Sequence, residues 1–303
     1  PTGLMGATLP LLARHAIREE REIGARIGLL YATNTAGAVA GTLVAAFVLL
    51  PALGQRATVA VGAALNALVF VTAALLARLA PSPPAPSRTS GAATAPAPGG
   101  WILPAIGLSG VCSFVYEVLW TRLLGHVLGG SVYAFSTMLA SFLVGITLGS
   151  AVASRLATSA PRAVRGFAAA QLGTAALSLA AFALVDGLPA LAVKLGAGWQ
   201  GSVGANAVLA ASVLLPATLC IGATFPFAVR ILARDAADAS PASARVYAWN
   251  TVGAIVGALG AGFFVVPLLG YQGSVLAAAA LNLALAAAAA FHATPRATGL
   301  LAA

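Results

Sequence analysis

Apolar residues run through this chain in long unbroken stretches, and the polar positions gather in the short gaps between them. A helix that crosses a bilayer needs about 20 mostly apolar residues. Eight stretches meet that length: 27–53, 57–80, 101–124, 131–153, 165–193, 203–232, 245–268 and 273–292; residues 1–12 read as the tail of a ninth. They are too long and too little alternating to be barrel strands. Backbone polar groups in hydrocarbon must be satisfied within their own segment, so helix is the expected state of each.

Composition sharpens that picture. The chain is 60% hydrophobic and 8% charged over 303 residues, where a soluble domain carries about 25% charged residues. Sixteen basic and seven acidic side chains cannot clothe such a surface for water, so an ordinary soluble globular enzyme is excluded. The lipid bilayer is the expected partner. The formal charge of +9 lacks the basic stripe and aromatic interleaving of a nucleic-acid binder, and no nucleic-acid partner is expected. Cys112 and Cys220 lie inside apolar runs without a His neighbour or a C-x-x-C spacing, which points to neither a metal nor a disulfide framework. The chain opens on Pro1 with no signal-peptide pattern and is expected to be a fragment.

Residues 81–100, PSPPAPSRTSGAATAPAPGG, differ from the rest. Pro, Ala, Ser and Gly dominate, the composition of a flexible or polyproline-like linker. The linker separates residues 1–80 from a second membrane unit, 101–292, followed by a tail, 293–303. Basic residues alternate from one connection to the next. Arg14, Arg18, Arg21 and Arg26, then Arg78 and Arg88, then Arg155, Arg162 and Arg165, then Arg230, Arg234 and Arg245, then Arg296 occupy one set. The intervening set holds only Arg56, Arg122 and Lys194. By the positive-inside rule the rich set, the linker and the C-terminus are cytoplasmic, in a multi-pass protein of the inner or plasma membrane.

The sequence also copies itself. Gly6-Ala-Thr-Leu-Pro10 returns as Gly222-Ala-Thr-Phe-Pro226, and Tyr31-Ala-Thr-Asn34-Thr35 returns as Tyr247-Ala-Trp-Asn250-Thr251. Gly37, Gly41, Phe47, Pro51, Leu53, Gly54 and Asn66 match Gly253, Gly257, Phe263, Pro267, Leu269, Gly270 and Asn282, always 216 positions later and without a gap. Six expected spans separate the copies, an even number, so both run the same way through the membrane. The fold class expected is therefore an all-α polytopic helix bundle of about eight spans plus a truncated one. It is built from two parallel six-helix repeats, the first incomplete, and resembles the halves of major-facilitator transporters. Gly37-x-x-x-Gly41, Gly253-x-x-x-Gly257 and Gly145-x-x-x-Gly149 put small residues on one helix face, the pattern of close helix packing. Pro10 and Pro226 lie near cytoplasmic helix ends as candidate kinks, or as breaks of the kind that line transport sites.

Ionisable groups at depth are few. Glu117, about two turns from the outer end of its span, has Arg122 five residues on. A carboxylate there must be protonated, paired or facing water. It is either a site for a cation or proton, or a structural anchor held by Arg122 or by another helix. Tyr116, Trp120 and Tyr133 fit an outer aromatic belt. Asn34 and Asn250, with Thr35, Thr251 and Gln171, can bond between helices, in a shared pathway or a shared packing contact. Asp186 reads as a solvated turn residue, and His15, His126 and His292 as interface residues. No nucleophile and base pair, metal cluster or phosphate loop is visible, and no cofactor is expected in this chain.

YEVLWTRLL at 116–124, SVYAFSTMLASFLVGITLGS at 131–150, GATFP at 222–226 and VYAWNTVGAIVGALGAGFFVVPLLG at 246–270 resemble the membrane region of fused major-facilitator/spermidine-synthase-like proteins. GATLP and YATNTAGAV in the first copy fit the same pattern. The resemblance implies a soluble aminopropyltransferase-like domain in the same polypeptide, of Rossmann type, using decarboxylated S-adenosylmethionine. The present residues carry no glycine-rich loop with following acids, so no catalytic position transfers to them. Three functions follow as expectations. One is a membrane module that anchors a cytoplasmic synthase domain and moves a small cationic substrate such as a polyamine. The others are a free-standing transporter and a purely structural scaffold.

Overall fold

The computed structural model describes residues 2–17, 19–79 and 99–293, so Arg18, most of the linker with Arg88, and the tail with Arg296 lie outside the described residues. Ten α-helices follow in order: α1 Thr2–Ala16, α2 Ile23–Val44, α3 Leu50–Leu79, α4 Ile102–Leu128, α5 Val132–Leu156, α6 Ala160–Ala183, α7 Leu188–Leu195, α8 Val203–Leu232, α9 Ala239–Gly260 and α10 Val266–Ala293. Among the described residues there is no strand. Serines open three of the helices. Ser131, Ser159 and Ser202 each accept a hydrogen bond from the backbone N–H three residues on, as an N-cap does.

Six helical stretches are long and apolar enough to cross a membrane, and two of them, Glu20–Leu79 and Ala239–Ala293, have 60 and 55 residues. At about 1.5 Å per residue neither fits one crossing. Each is interrupted by a glycine. Gly54 has φ 73°, ψ 175° and Gly270 has φ 65°, ψ −175°, a backbone that a residue with a Cβ rarely adopts. Just before each glycine comes a π-turn, Ala45–Leu49 and Ala261–Val265, and then a proline, Pro51 and Pro267. Each proline stands three residues before its glycine, close to the point where the helix is interrupted. The widened turn carries the chain past a residue without an N–H. A hydroxyl one turn after each glycine caps its carbonyl: Thr58 Oγ1 donates to Gly54 O at 2.8 Å and Ser274 Oγ to Gly270 O at 2.5 Å. These backbone features recur at the offset of 216.

Contacts fix the helix directions. Along α4, Gly107 meets Gly253 and Val111 meets Gly257 on α9, then Arg122 reaches Gly262, so α4 and α9 run together. Past the break, Tyr271 lies by His126, Ala278 by Cys112, and His292 stacks on Trp101 with ring centroids 4.5 Å apart. Thus α10 runs back along α4, and Ala239–Ala293 is two antiparallel helices. Helices α5 and α8 run together, with Gly145 facing Thr218 and Ser150 facing Gly222. Helix α2 runs against α5, with Gly24 on Ala157 and Phe47 against the Tyr133 ring. One end of the bundle gathers Gly24, Gly99, Ala157 and Ile231; the other gathers His126, Gly129, Trp199 and Tyr271. The connections rich in arginine that the structure describes converge on the first end.

Two buried clusters fill these halves. One, about Ile23, Ile27, Ile106, Phe167, Phe225 and Val246, lies toward the arginine-rich end. The other, about Leu119, Trp120, Met138, Phe142, Leu209 and Val275, lies toward the opposite end. Helix α3 has no buried residue, and its Val59, Leu68 and Phe70 are all widely exposed.

Several expectations are corrected. The span expected at 165–193 ends at Ala183, and Leu188–Leu195 is a separate short helix; residues 188–195 are as apolar as a span, and only Asp186-Gly187 marks the interruption. Tyr116 and Trp120 are not belt residues but core ones, 1% and 3% exposed, because both pack into the buried cluster with Leu119, Met138 and Val275. Pro10 and Pro226 lie inside helices that continue through them, so neither breaks its helix.

Candidate functional site

Glu117 and Thr121 are one turn apart on α4 and share a face. That face meets Phe135, Met138, Leu139 and Phe142 of α5 and Leu214 of α8 around a space of about 10 Å³. The Glu117 side chain is half-buried there and has no hydrogen-bond or ion-pair partner among the described residues. An apolar slot with two phenyl rings, a thioether and one carboxyl group combines an acid with surfaces that attract cations over aromatic faces.

Arg122 does not pair with Glu117. Five residues advance a helix by about 140° beyond a full turn, so the two side chains leave α4 on different sides. Arg122 Nη2 donates instead to Gly262 O at 3.1 Å. That carbonyl needs a partner from outside its helix. Val266 N–H bonds Ala261 O in the π-turn, and the next candidate donor, five residues after Gly262, is Pro267, which has none. A proline on α9–α10 and an arginine on α4 thus form one device, and Arg122 is tied to another helix rather than to Glu117.

The walls of the slot are held by a close approach of α5 and α8. A Cβ on Gly145 would overlap Thr218, and one on Gly149 would overlap the Leu219 carbonyl. Pro226 withholds the N–H that would bond Gly222 O, four residues earlier. Ser150 Oγ on α5 supplies that bond at 2.7 Å. Ser150 and Gly222 were not among the expected site residues, although a serine opposite a proline-freed carbonyl is a recurrent device in membrane helices.

The repeated motifs occupy unlike surroundings. Gly253 and Gly257 touch the α4 backbone at Gly107 and Val111, whereas Gly37 and Gly41 have no atom within 4 Å of where a Cβ would stand. Asn250 lies against Gly110, its Oδ1 3.1 Å from that position; Asn34 is exposed. Thr35 Oγ1 bonds Tyr31 O within its own helix, and Gln171 Nε2 crosses between helices to Ser109 Oγ at 2.7 Å. Pro10 O accepts from Ser240 Oγ at 2.9 Å.

One ionic contact ties the N-terminal helices to α8. Arg230 Nη2 meets Glu20 Oε1 at 2.8 Å, with the arginine side chain 7% exposed. The sequence around its arginine is duplicated. Arg14, Arg18, Glu19 and Glu22 recur as Arg230, Arg234, Asp235 and Asp238 at the same offset of 216, so a charge motif is duplicated, while Glu20 itself is matched by Ala236. Among the described residues no group of three His, Cys, Asp or Glu could hold a metal.

Comparison with curated proteins finds two relatives from Streptomyces coelicolor. Polyamine aminopropyltransferase 2 is 32% identical over 226 residues, covering 69% of this chain and 39% of that protein. Polyamine aminopropyltransferase 1 is 29% identical over 203 residues, covering 67% of this chain and 34% of that protein. The chain therefore spans little more than a third of the length of the relatives it matches. No family model matches it, and no solved structure matches it. Over about two thirds of its length this chain of apolar helices is similar to polyamine aminopropyltransferases, and that similarity supports a spermidine-synthase-like relationship.

Proposed function

We propose that the chain is the integral membrane module of a spermidine-synthase-like protein, and that it holds an aminopropyltransferase domain at the arginine-rich, cytoplasmic face of the bilayer. One observation carries this reading. The matched region, two thirds of this chain but 39% and 34% of two polyamine aminopropyltransferases, is drawn from a sequence made almost wholly of apolar helices. The rest of each relative is long enough for a soluble catalytic domain. On this reading α3, the copy of α10, is buried against further membrane helices of the same polypeptide. The two halves are parallel repeats of the major-facilitator kind.

The same reading assigns Glu117 to a cation. A carboxylate at the side of an apolar, aromatic slot suits an alkylammonium, the unit of a polyamine. The 10 Å³ between the lining residues is too small for one, so admission requires α5 and α8 to move away from α4. The anchoring role is tested by expressing the full-length polypeptide and measuring aminopropyl transfer from decarboxylated S-adenosylmethionine to a diamine in separated fractions. Activity is expected to sediment with membranes and to stay there after an alkaline wash. Activity of the intact polypeptide in the soluble fraction, or none in either, contradicts the assignment.

A further inference from the structure

Helices α5 and α6 both pack on α8 and leave a groove between them. Gly149 of α5 lies on the Leu219 carbonyl, and Gly166 and Gly173 of α6 lie on Phe227 and Cys220. The groove encloses about 360 Å³, a volume in the range of small-ligand sites. Val152 and Leu156 form one wall, Gly166 and Ala169 the other, and Cys220 and Phe227 the floor. It opens sideways from the bundle, since Val152 and Leu156 are 53% and 56% exposed and Ala169 is exposed as well. In a chain that spans a membrane, that side faces lipid.

The groove is apolar along its length and basic at one end. Helices α5 and α8 run toward the arginine-rich end of the bundle, and α6 starts from it. The groove therefore runs from Gly149, Ala170 and Leu219 at depth to Leu156, Gly166 and Phe227 near that end. Arg155 follows Val152 by three positions, and Arg162 and Arg165 precede Gly166 and Ala169 by four. Residues so spaced share a helix face, so each arginine stands beside a residue that lines the groove. All three are exposed. Among the described residues none of them pairs with a carboxylate, unlike Arg21, Arg26, Arg230 and Arg245. Arg162 Nη1 donates to a neutral hydroxyl, Thr158 Oγ1, at 2.8 Å.

We propose that the groove between α5 and α6 binds an acyl chain of an anionic phospholipid whose headgroup is met by Arg155, Arg162 and Arg165. Charge complementarity selects this occupant. The walls and floor carry no charged side chain, which suits a hydrocarbon chain, and three cations without a carboxylate stand at one end. Guanidinium groups form charge-assisted hydrogen bonds with phosphate oxygens, and basic pockets between membrane helices take acidic lipid headgroups. A zwitterionic lipid fits the groove as well but brings the arginines no net charge. The inference rests on the chain spanning a membrane, and neither on an anchored synthase domain nor on Glu117.

The test is native mass spectrometry of the full-length protein released from vesicles of phosphatidylcholine and phosphatidylglycerol in equal amounts. Preferential retention of phosphatidylglycerol is expected. Changing Arg155, Arg162 and Arg165 together to glutamine is expected to reduce that retention by at least about tenfold, given what each arginine contributes at an anionic lipid surface. Ala169→Trp, which fills the groove and keeps every arginine, is expected to reduce it as well. Equal retention of the two lipids, or either variant retaining phosphatidylglycerol as the parent does, overturns the proposal. Cys220 gives a second measure without any substitution, because its half-buried thiol lines the groove. Adding phosphatidylglycerol to phosphatidylcholine vesicles is expected to slow labelling of the Cys220 peptide by a lipid-soluble maleimide; an unchanged rate contradicts occupation of the groove.

Discussion

Replacing Gly253 by leucine will separate α4 from α9 and unfold the bundle at temperatures where the parent is intact. The collision is with backbone, not with a side chain that can swing away: a Cβ at Gly253 would overlap the Gly107 carbonyl. Overpacking against movable side chains costs about 1–3 kcal/mol, and a fixed carbonyl puts this substitution at or above the top of that range. Helices in lipid lack a hydrophobic drive to re-associate after such a separation, since their contact rests on close packing. Gly41→Leu provides the contrast. It removes the same residue of the same repeated motif where nothing lies within 4 Å, and is expected to change stability by no more than about 0.5 kcal/mol, as surface substitutions do. Thermal unfolding read through a thiol-reactive dye suits both variants, because Cys112 is buried and free. Equal midpoints for Gly253→Leu and Gly41→Leu would contradict the packing described here.

Replacing Glu117 by glutamine will lower uptake of a polyamine into vesicles containing the full-length protein by at least about tenfold, which corresponds to about 1.4 kcal/mol. The substitution keeps the shape of the side chain and removes its charge. It breaks no ion pair, since Glu117 has no polar partner among the described residues, so folding should survive and the loss should appear in flux alone. A structural role makes the opposite forecast: a lower melting temperature with no flux in either protein. Uptake by the parent equal to that of empty vesicles removes transport from the proposal and leaves anchoring.

The apolar helices are legible in the sequence because a run of crossing length with almost no charge can satisfy its backbone in lipid only as a helix. The breaks at Gly54 and Gly270 are legible too, since proline and glycine recur together at both places. The environment of each repeated residue is not legible. Gly37 and Gly253 read alike, yet closeness depends on what stands opposite, and only Gly253 faces a glycine on another helix. Tyr116 and Trp120 read as belt residues from their depth, but depth does not say which side of α4 turns inward. The bond from Arg122 to Gly262 spans 140 residues and the pair of Arg230 with Glu20 spans 210. Neither has a local signature, because the acceptor exposed by Pro267 and the acid beside α8 become visible only once the helices are placed. Helix α7 was hidden by composition, as an apolar turn on the outside of a bundle looks like the end of a span.

Single cysteines placed one at a time at Thr158, Ala237, Gly130 and Gln200, in a background with Cys112→Ala and Cys220→Ala, will report the sidedness of the bundle in intact cells. The helix directions put Thr158 and Ala237 at the arginine-rich end and Gly130 and Gln200 at the other. A membrane-impermeant thiol reagent is expected to label Gly130→Cys and Gln200→Cys from outside, and to label Thr158→Cys and Ala237→Cys only after the cells are opened. Labelling of all four from one side, or a protein that remains in solution without detergent, would contradict a membrane-spanning module that faces its synthase domain toward the cytoplasm.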